Sequence, residues 1–436
     1  GAPILRHTFG FLFELLAAGT LVAWLRRRLG VPWLRAVGDG ALHLLPLGLT
    51  AFVLFVDDPT TRLVLFATVI AGTTAAIVLR TVPSPGPLEG ESSWPRRLAP
   101  AVAVSAATWF IAMALLRHAG YWSSIIDLGL FSGALRSTIH GDGFLYAPEL
   151  GVTFLAEHFS PILVLLLPVY ALFEDPTTLL VVQSLAVAGG GYLLYVWTEE
   201  TLGNGWLALA VMVAYLVAPD TIQSQWHDFH MDLLMPPMIF GALLALRRGS
   251  TVWFMICIGA LWLTKEDAFL YTALLGLYAG AAHRRRLLAL VTVCASLFVG
   301  YALLEWVLPA LRGMQDPGLF FTTTDEVGPG YKFLERYKHL GGSITDILAT
   351  VATNPFYVVG HLFSAERLAS LLTLTAPLGF AAFFGVAPLL LLSAGAVMLL
   401  ASHFLMSSLS FYYGAIPLAF ATAAGVVGLA RVSDRL

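Results

Sequence analysis

The chain has 436 residues, of which 58% are hydrophobic and 12% charged, with a net charge of −3 and a mean hydropathy of +0.80. A soluble domain carries roughly 25% charged residues, so the composition excludes an ordinary soluble protein and predicts an all-α polytopic membrane protein. The slightly negative charge leaves no footprint for nucleic acid, and none is expected as a partner.

Apolar runs near the length of a bilayer core give about 13 transmembrane helices. They fall at residues 9–25, 41–57, 62–80, 98–117, 177–197, 205–218, 232–247, 250–264, 267–282, 287–309, 366–384, 386–405 and 412–430. The first three form an expected N-terminal membrane bundle over residues 1–81, and the Pro-, Ser- and Gly-rich stretch 82–97 is an expected cytoplasmic linker. Residues 98–436 make the main transmembrane module. Cys257 and Cys294 lie in apolar runs and read as small buried hydrophobes. The chain begins with Gly1, so a processed or incomplete N-terminus is expected, with no signal-peptide pattern or tag.

Short basic loops set the orientation. Arg26–Arg28, Arg80, Arg96, Arg97, Arg247, Arg248, Arg284–Arg286 and Arg431 all fall on one side if the run 160–173 does not cross the membrane. That run is short, contains Pro161 and Pro168 and has no basic flank, which suits a re-entrant or interfacial helix. The opposite, outer face then receives the loops 118–176 and 310–365 and the short connections 219–231, 265–267 and 406–411. No internal repeat of the kind common in transporters is evident.

The polar residues concentrate in those outer segments. Asp127 interrupts an apolar face of an expected amphipathic surface helix, with Arg136, His140 and Asp142 following. Such a carboxylate suits a general base or a cation ligand; the plainer reading is a cap or an ion pair with Arg136. Glu157 and His158 precede Ser160-Pro161, which read as an N-cap and first helical residue. A His beside a Glu suits metal or phosphate contact. Between two spans, Trp226-His227-Asp228-Phe229-His230-Met231-Asp232 offers several ligands for one cation, Asp228, His230 and Asp232 above all. Asp232 also fits a helix cap. Lys265, Glu266 and Asp267 are wedged between two spans with no polar loop around them; a lysine there either pairs internally or neutralises a phosphate. Tyr331 and Lys332 in the last large loop are candidates for gripping an anionic headgroup, against the plainer reading of a solvated face. No Walker loop, G-x-G-x-x-G, G-x-S-x-G or H-E-x-x-H pattern accompanies these clusters.

The stretches IDLGLFSGALRSTIHGDGF, EHFSPILVLLLPVYALF, HDFHMDLLMPPMIF and LTKEDAFLYTALLGLY, in that order, resemble a prokaryotic membrane family known as domain of unknown function 2079. That family in turn resembles, by layout, the GT-C membrane glycosyltransferases, which include protein mannosyltransferases and oligosaccharyltransferases. The resemblance implies a GT-C-like module with outer-face juxtamembrane helices, transferring a sugar from a polyprenyl-phosphate donor in the prokaryotic inner membrane, with a cytoplasmic C-terminus. It implies Asp127 as base or metal ligand and Asp228 or Asp232 as the second acid, with a divalent Mg or Mn as cofactor. The usual E-x-D or D-x-D pair is replaced here by HDFHMD, and the large soluble C-terminal domain of some members is absent. Asp127, Glu157 and Asp228 are the expected catalytic acids. Arg136, His158, Lys265, Glu266, Tyr331 and Lys332 are the expected substrate contacts, besides membrane lipids. Two other readings stand beside this one: a lipid or anion transporter, and a non-catalytic subunit that docks partner membrane proteins through residues 1–81.

Overall fold

The computed structural model describes residues 93–312, 332–362, 365–378, 381–383, 385–394 and 400–434. The expected three-helix bundle at 1–81 lies outside them, as does the linker up to residue 92. The described chain is mostly helical; its single sheet is the two-residue antiparallel pair Tyr146–Ala147 and Val152–Thr153.

Helix α1 (Trp94–Ala119) opens on Pro95, whose missing N–H belongs to a first turn that lacks acceptors anyway, and stops at Gly120. A turn of π-helix (Ile125–Gly129), capped by Ser124 Oγ accepting from Ile126 N, leads into α2 (Leu130–His140), which ends at Gly141 with φ 80°. The expected surface helix is therefore present, but Asp127 sits in a widened turn ahead of it. The run 160–173 forms only the ten-residue α3 (Leu163–Leu172).

Next come α4 (Thr177–Leu202), α5 (Gly205–Leu216) and α6 (Pro219–Trp226). The last two are bent by 44°, because Ala218 takes the extended backbone that a following proline demands. Then follow α7 (Met235–Arg247), α8 (Thr251–Trp262), α9 (Ala268–His283) and α10 (Arg286–Ala302), the last continuing through a π turn to Arg312. Helices α11 (Ile344–Thr353), α12 (Pro355–Leu362), α13 (Ala365–Thr375) and α14 (Pro388–Ala394) are short. The last long helix, α15 (Ala415–Asp434), is the central post of the bundle. It packs so closely that a Cβ on Gly428 would overlap the Ala381 carbonyl oxygen, and one on Gly425 the Leu378 side chain.

Among the described residues four helical stretches are long and apolar enough to cross a membrane: Trp94–Ala119, Thr177–Leu202, Arg286–Leu311 and Phe404–Arg431. The bent pair α5–α6 makes a fifth. Of the thirteen runs read in the sequence, the first three lie outside the described residues, and the shortness of others has a physical cause. An apolar run does not say where its helix stops, and α7, α8 and α9 have only 13, 12 and 16 residues.

The two ends of the bundle differ in chemistry. At one, Arg96 meets Glu199, Arg248 meets Glu200, and Arg285 donates to the Gly249 carbonyl. At the other, Arg117, Asp228 and the polar clusters gather. Both ends of α3 lie at this second end, since Ile162 N donates to Leu263 O while Glu174 pairs with His140. The run 160–173 thus begins and finishes on one face, as its length implied.

Helix length then creates depth. Gly190, near the middle of α4, packs on Pro237 at the start of α7, where an added Cβ would lie 3.2 Å from its nitrogen. The polar ends of α7, α8 and α9 therefore stop short of the level reached by α1 and α4. His230 N donates to Gln183 Oε1 at 2.8 Å, and Gln183 lies about 9 Å along α4 from Thr177 at 1.5 Å per residue. The polar floor is recessed.

Single cysteines in a background lacking Cys257 and Cys294 test this layout. Tyr121→Cys and Phe173→Cys are expected to react with an impermeant maleimide from one side of the membrane, and Arg286→Cys from the other. Labelling of Phe173→Cys from the Arg286 side would mean that α3 crosses.

Candidate functional site

Each of the four polar clusters reaches another through a side-chain bond. Asp127 Oδ2 meets His227 Nε2 at 3.1 Å, joining the π turn to the segment after α6. His158 Nδ1 meets Glu266 Oε1 at 2.8 Å, while the other Glu266 oxygen accepts from Phe159 N at 3.0 Å. Lys265 Nζ donates to both Asp232 oxygens at 3.4 and 3.3 Å, and His230 Nδ1 pairs with the same carboxylate. Segments distant in sequence thus form one continuous polar network.

Local backbone explains how each side chain arrives. His227 and His230 are in extended conformation after α6 ends, so the HDFH segment runs across the end of the bundle. Thr264 Oγ1 caps back onto Leu261 O at 2.5 Å, and Ala268 N bonds Lys265 O, which fixes the tight turn carrying Lys265 and Glu266. The ring of Tyr412 lies flat on His230, 3.5 Å between centroids and 9° from parallel. Beneath it, Tyr412 and Tyr413 share a hydroxyl bond at 3.3 Å.

The network has two levels. Asp228, Asp232 and Glu266 have no exposed side-chain surface, and Lys265 and His230 have almost none. Above them stand Asp127, His158, His227 and Arg117, with 23%, 16%, 17% and 12% of their side chains exposed. The rim is rich in histidine and arginine over an acid-rich floor.

Burial pushes the Asp127 carboxyl up, but the His227 hydrogen bond and the charges of His230, His227 and His158 outweigh it and hold it below its ordinary value of 3.8. Burial, aided by Lys265 and opposed by Asp232, lowers the His230 pKa from 6.5. Asp127 is an anion throughout the neutral range, and its Oδ1 has no hydrogen-bond partner among the described residues.

The expected metal set is not assembled. Asp228 is held by Arg117 Nη1 and by Ser124 N, the latter at 2.6 Å, while Asp232 is held by Lys265 and His230. Among the described residues no group of three His, Cys, Asp or Glu stands where it could hold a metal ion. The HDFHMD residues do not fit a divalent cation, because arginine and lysine already neutralise them. Asp232 lies inside a short turn, Met231–Leu234, whose N-cap is His230, and its side chain serves the ion pair rather than a cap.

Other candidates lie apart. Arg136 is exposed and pairs with Glu174 at 3.3 Å, sharing that acid with His140. Glu157 is half-buried beside His158. Lys332 begins a short turn, Lys332–Tyr337, and Tyr331 lies outside the described residues. Two participants escaped the sequence reading. Arg117 carries the signal that could have found it, a lone arginine at the non-basic end of a span. Tyr412 stands just ahead of the last span, where a tyrosine usually marks only the membrane interface.

A family described as "Predicted membrane protein (DUF2079)" matches residues 117–435. The chain belongs to this family. The match begins at Arg117 and takes in every residue of the network. No curated protein and no solved structure matches the chain. Membership establishes an integral membrane protein, and the shared region excludes residues 1–81.

Two outcomes are expected here. Arg117→Ala strands the fully buried Asp228 carboxylate and is expected to cost about 3–5 kcal/mol, read as a large drop in thermal midpoint; Arg117→Met with Asp228→Leu is expected to recover most of it. Asp127 has a lowered pKa in the folded state, so its pairing stabilises above its ordinary pKa and is lost as pH falls through the folded value. The gap in thermal midpoint between the native protein and Asp127→Asn is therefore expected to be full at pH 6 and to shrink towards pH 3. A gap that widens on acidification would contradict the assignment.

Proposed function

We propose that this protein is a membrane glycosyltransferase of GT-C type, moving a sugar from a polyprenyl-phosphate donor to an acceptor at the outer face of a prokaryotic inner membrane. The observation that carries this reading is the recessed network itself. A partly exposed carboxylate and two histidines stand over a fixed ionic floor, at the end of the bundle opposite the arginine-rich loops. On the positive-inside rule the arginine-rich end, with Arg431 of α15, is cytoplasmic, and the site faces outward. The fuller count of about 13 spans follows if the short helices α7, α8 and α9, the first three apolar runs and the runs 366–384 and 386–405 also cross.

The chemistry requires a base for the acceptor hydroxyl, a counter-charge for the departing phosphate and a path for the lipid. Asp127 Oδ1 is the base in this reading, with His227 orienting the carboxylate through Oδ2. The acceptor hydroxyl gives its proton to Asp127 as its oxygen bonds to the anomeric carbon, and the sugar–phosphate bond breaks with its electrons on the lipid phosphate. His158 and Arg117 at the rim meet that phosphate. Lys265 and Glu266, committed to the floor, hold Asp232 and His158 in place rather than touching the donor. Metal assistance has no donor set among the described residues and no step is assigned to it. The closed pairing of the floor charges also favours a second reading, a non-catalytic subunit with the same fold, in which residues 1–81 dock partners.

Transfer is testable with purified protein in proteoliposomes loaded with a radiolabelled pool of polyprenyl-phosphate sugars. Consumption of donor with label appearing on a new acceptor is expected, and Asp127→Asn is expected to lower it by about 10²–10⁴-fold with the fold intact. Undiminished transfer by that variant removes Asp127 as base. An inert donor pool, together with stable co-purifying partners, favours the subunit reading.

A further inference from the structure

The arginine-rich end holds a second feature, unconnected with the polar network. Between α8 and α10 lies an open cleft of about 490 Å³, lined by Thr251, Met255, Arg285, Arg286, Leu288 and Val291. Its mouth is basic and its interior apolar. The floor is closed where Thr292 Oγ1 reaches Met255 Sδ at 3.7 Å.

Charge at this end is unevenly compensated. The two nearby acids are already engaged, Glu199 by Arg96 and Glu200 by Arg248. Arg285 spends its donors on neutral oxygens, the Gly249 carbonyl at 2.8 Å and Thr251 Oγ1 at 3.1 Å. Arg284 and Arg286 are exposed and have no acidic partner among the described residues. Arg285 and Arg286 at the mouth, with Arg284 next to them in sequence, therefore present uncompensated positive charge beside the positive N-terminal end of α10. The walls below continue as lipid-facing surface: Leu287, Leu290 and Val291 are 75%, 61% and 47% exposed on α10, and Val252 and Trp253 are 69% and 64% exposed on α8. A basic mouth, a tryptophan at the same level and an apolar slot leading into the bilayer match a phospholipid with an anionic headgroup.

We propose that this cleft binds one anionic phospholipid, its phosphate at Arg284 and Arg286 and one acyl chain against Met255, Leu288 and Val291. Arg285 shapes the mouth by tying α10 to the turn before α8. The site lies at the opposite end of the bundle from the polar network and stands whatever that network does.

The test uses the full chain, delipidated in detergent, with phosphatidylglycerol and phosphatidylcholine titrated separately and bound lipid counted by native mass spectrometry. The native protein is expected to retain one phosphatidylglycerol in preference to phosphatidylcholine. Arg284→Gln with Arg286→Gln is expected to weaken it by roughly 25-fold, at about fivefold for each arginine near a lipid phosphate. Arg284→Lys with Arg286→Lys keeps the charge and is expected to keep most of the binding. Val291→Trp fills the slot with every arginine in place and is expected to expel the lipid. Equal retention of both lipids, or undiminished phosphatidylglycerol on the glutamine variant, overturns the proposal. Binding that survives Val291→Trp also overturns it, as surface attraction without a cleft. Competition by free glycerophosphate at equal concentration would point to a simple anion site and sink the lipid assignment.

Discussion

Three carboxylates with no exposed surface, Asp228, Asp232 and Glu266, lie at one end of this bundle. An ion in such surroundings is tolerable only with a partner held in good geometry. Each is held by a separate stretch of chain: Asp228 by Arg117 at the end of α1, Asp232 by Lys265 in the turn before α9, and Glu266 through a hydrogen bond with His158 ahead of α3. These contacts act as long-range ties between loops that also share a hydrophobic cluster, in which Phe131 meets Phe154 and Phe229. They fix where α6 ends, how the HDFH segment runs and how tightly the Thr264–Asp267 turn closes. Removing one partner leaves the other charged, buried and alone, so the network tolerates paired replacement better than single loss.

Burial at that end follows from helix length. The chain could have run α7, α8 and α9 to the level of α1 and α4. It stops them early, with Pro236 and Pro237 at the start of α7 and charges at 265–267, and the shortfall makes a hollow. Non-helical backbone at such depth survives only where protein covers it or water reaches it. Here side chains do the covering: Gln183 takes the His230 amide, Asp228 takes the Ser124 amide and Glu266 takes the Phe159 amide. The floor's acids serve backbone as well as charge.

Much of this could be read from residues alone. Composition gave the membrane class, and the excess of arginine in some loops separated the two ends. The short, proline-bearing run 160–173 declared itself as non-crossing. Asp127, His158, Asp228 and Lys265 stood out because ionisable groups beside spans are costly. Their pairing was not legible. The D-x-H-x-D spacing suggested a cation site, whereas the positive charges come from Arg117 and Lys265, far away in sequence and invisible to local pattern. Arg136 was placed with Asp127 by proximity in sequence, yet α2 carries it outward to Glu174. Tyr412 looked like many interfacial tyrosines until its stacking on His230 could be seen. Helix ends were not legible for a related reason, since hydropathy measures the apolar run and turns decide where the helix stops.

The central position of α15 has a consequence for the order in which the molecule can be completed. Nearly all of this helix is enclosed by the others, and every element that encloses it is made earlier on the ribosome. The helices that enclose it must therefore assemble around a vacant axis until the post arrives. Tyr412, just ahead of α15, reaches His230 only at that last step. A nascent chain that stalls before residue 411 would hold all the ion-pairing segments of the polar end without the ring that covers them, so assembly of the site and completion of the core are the same event.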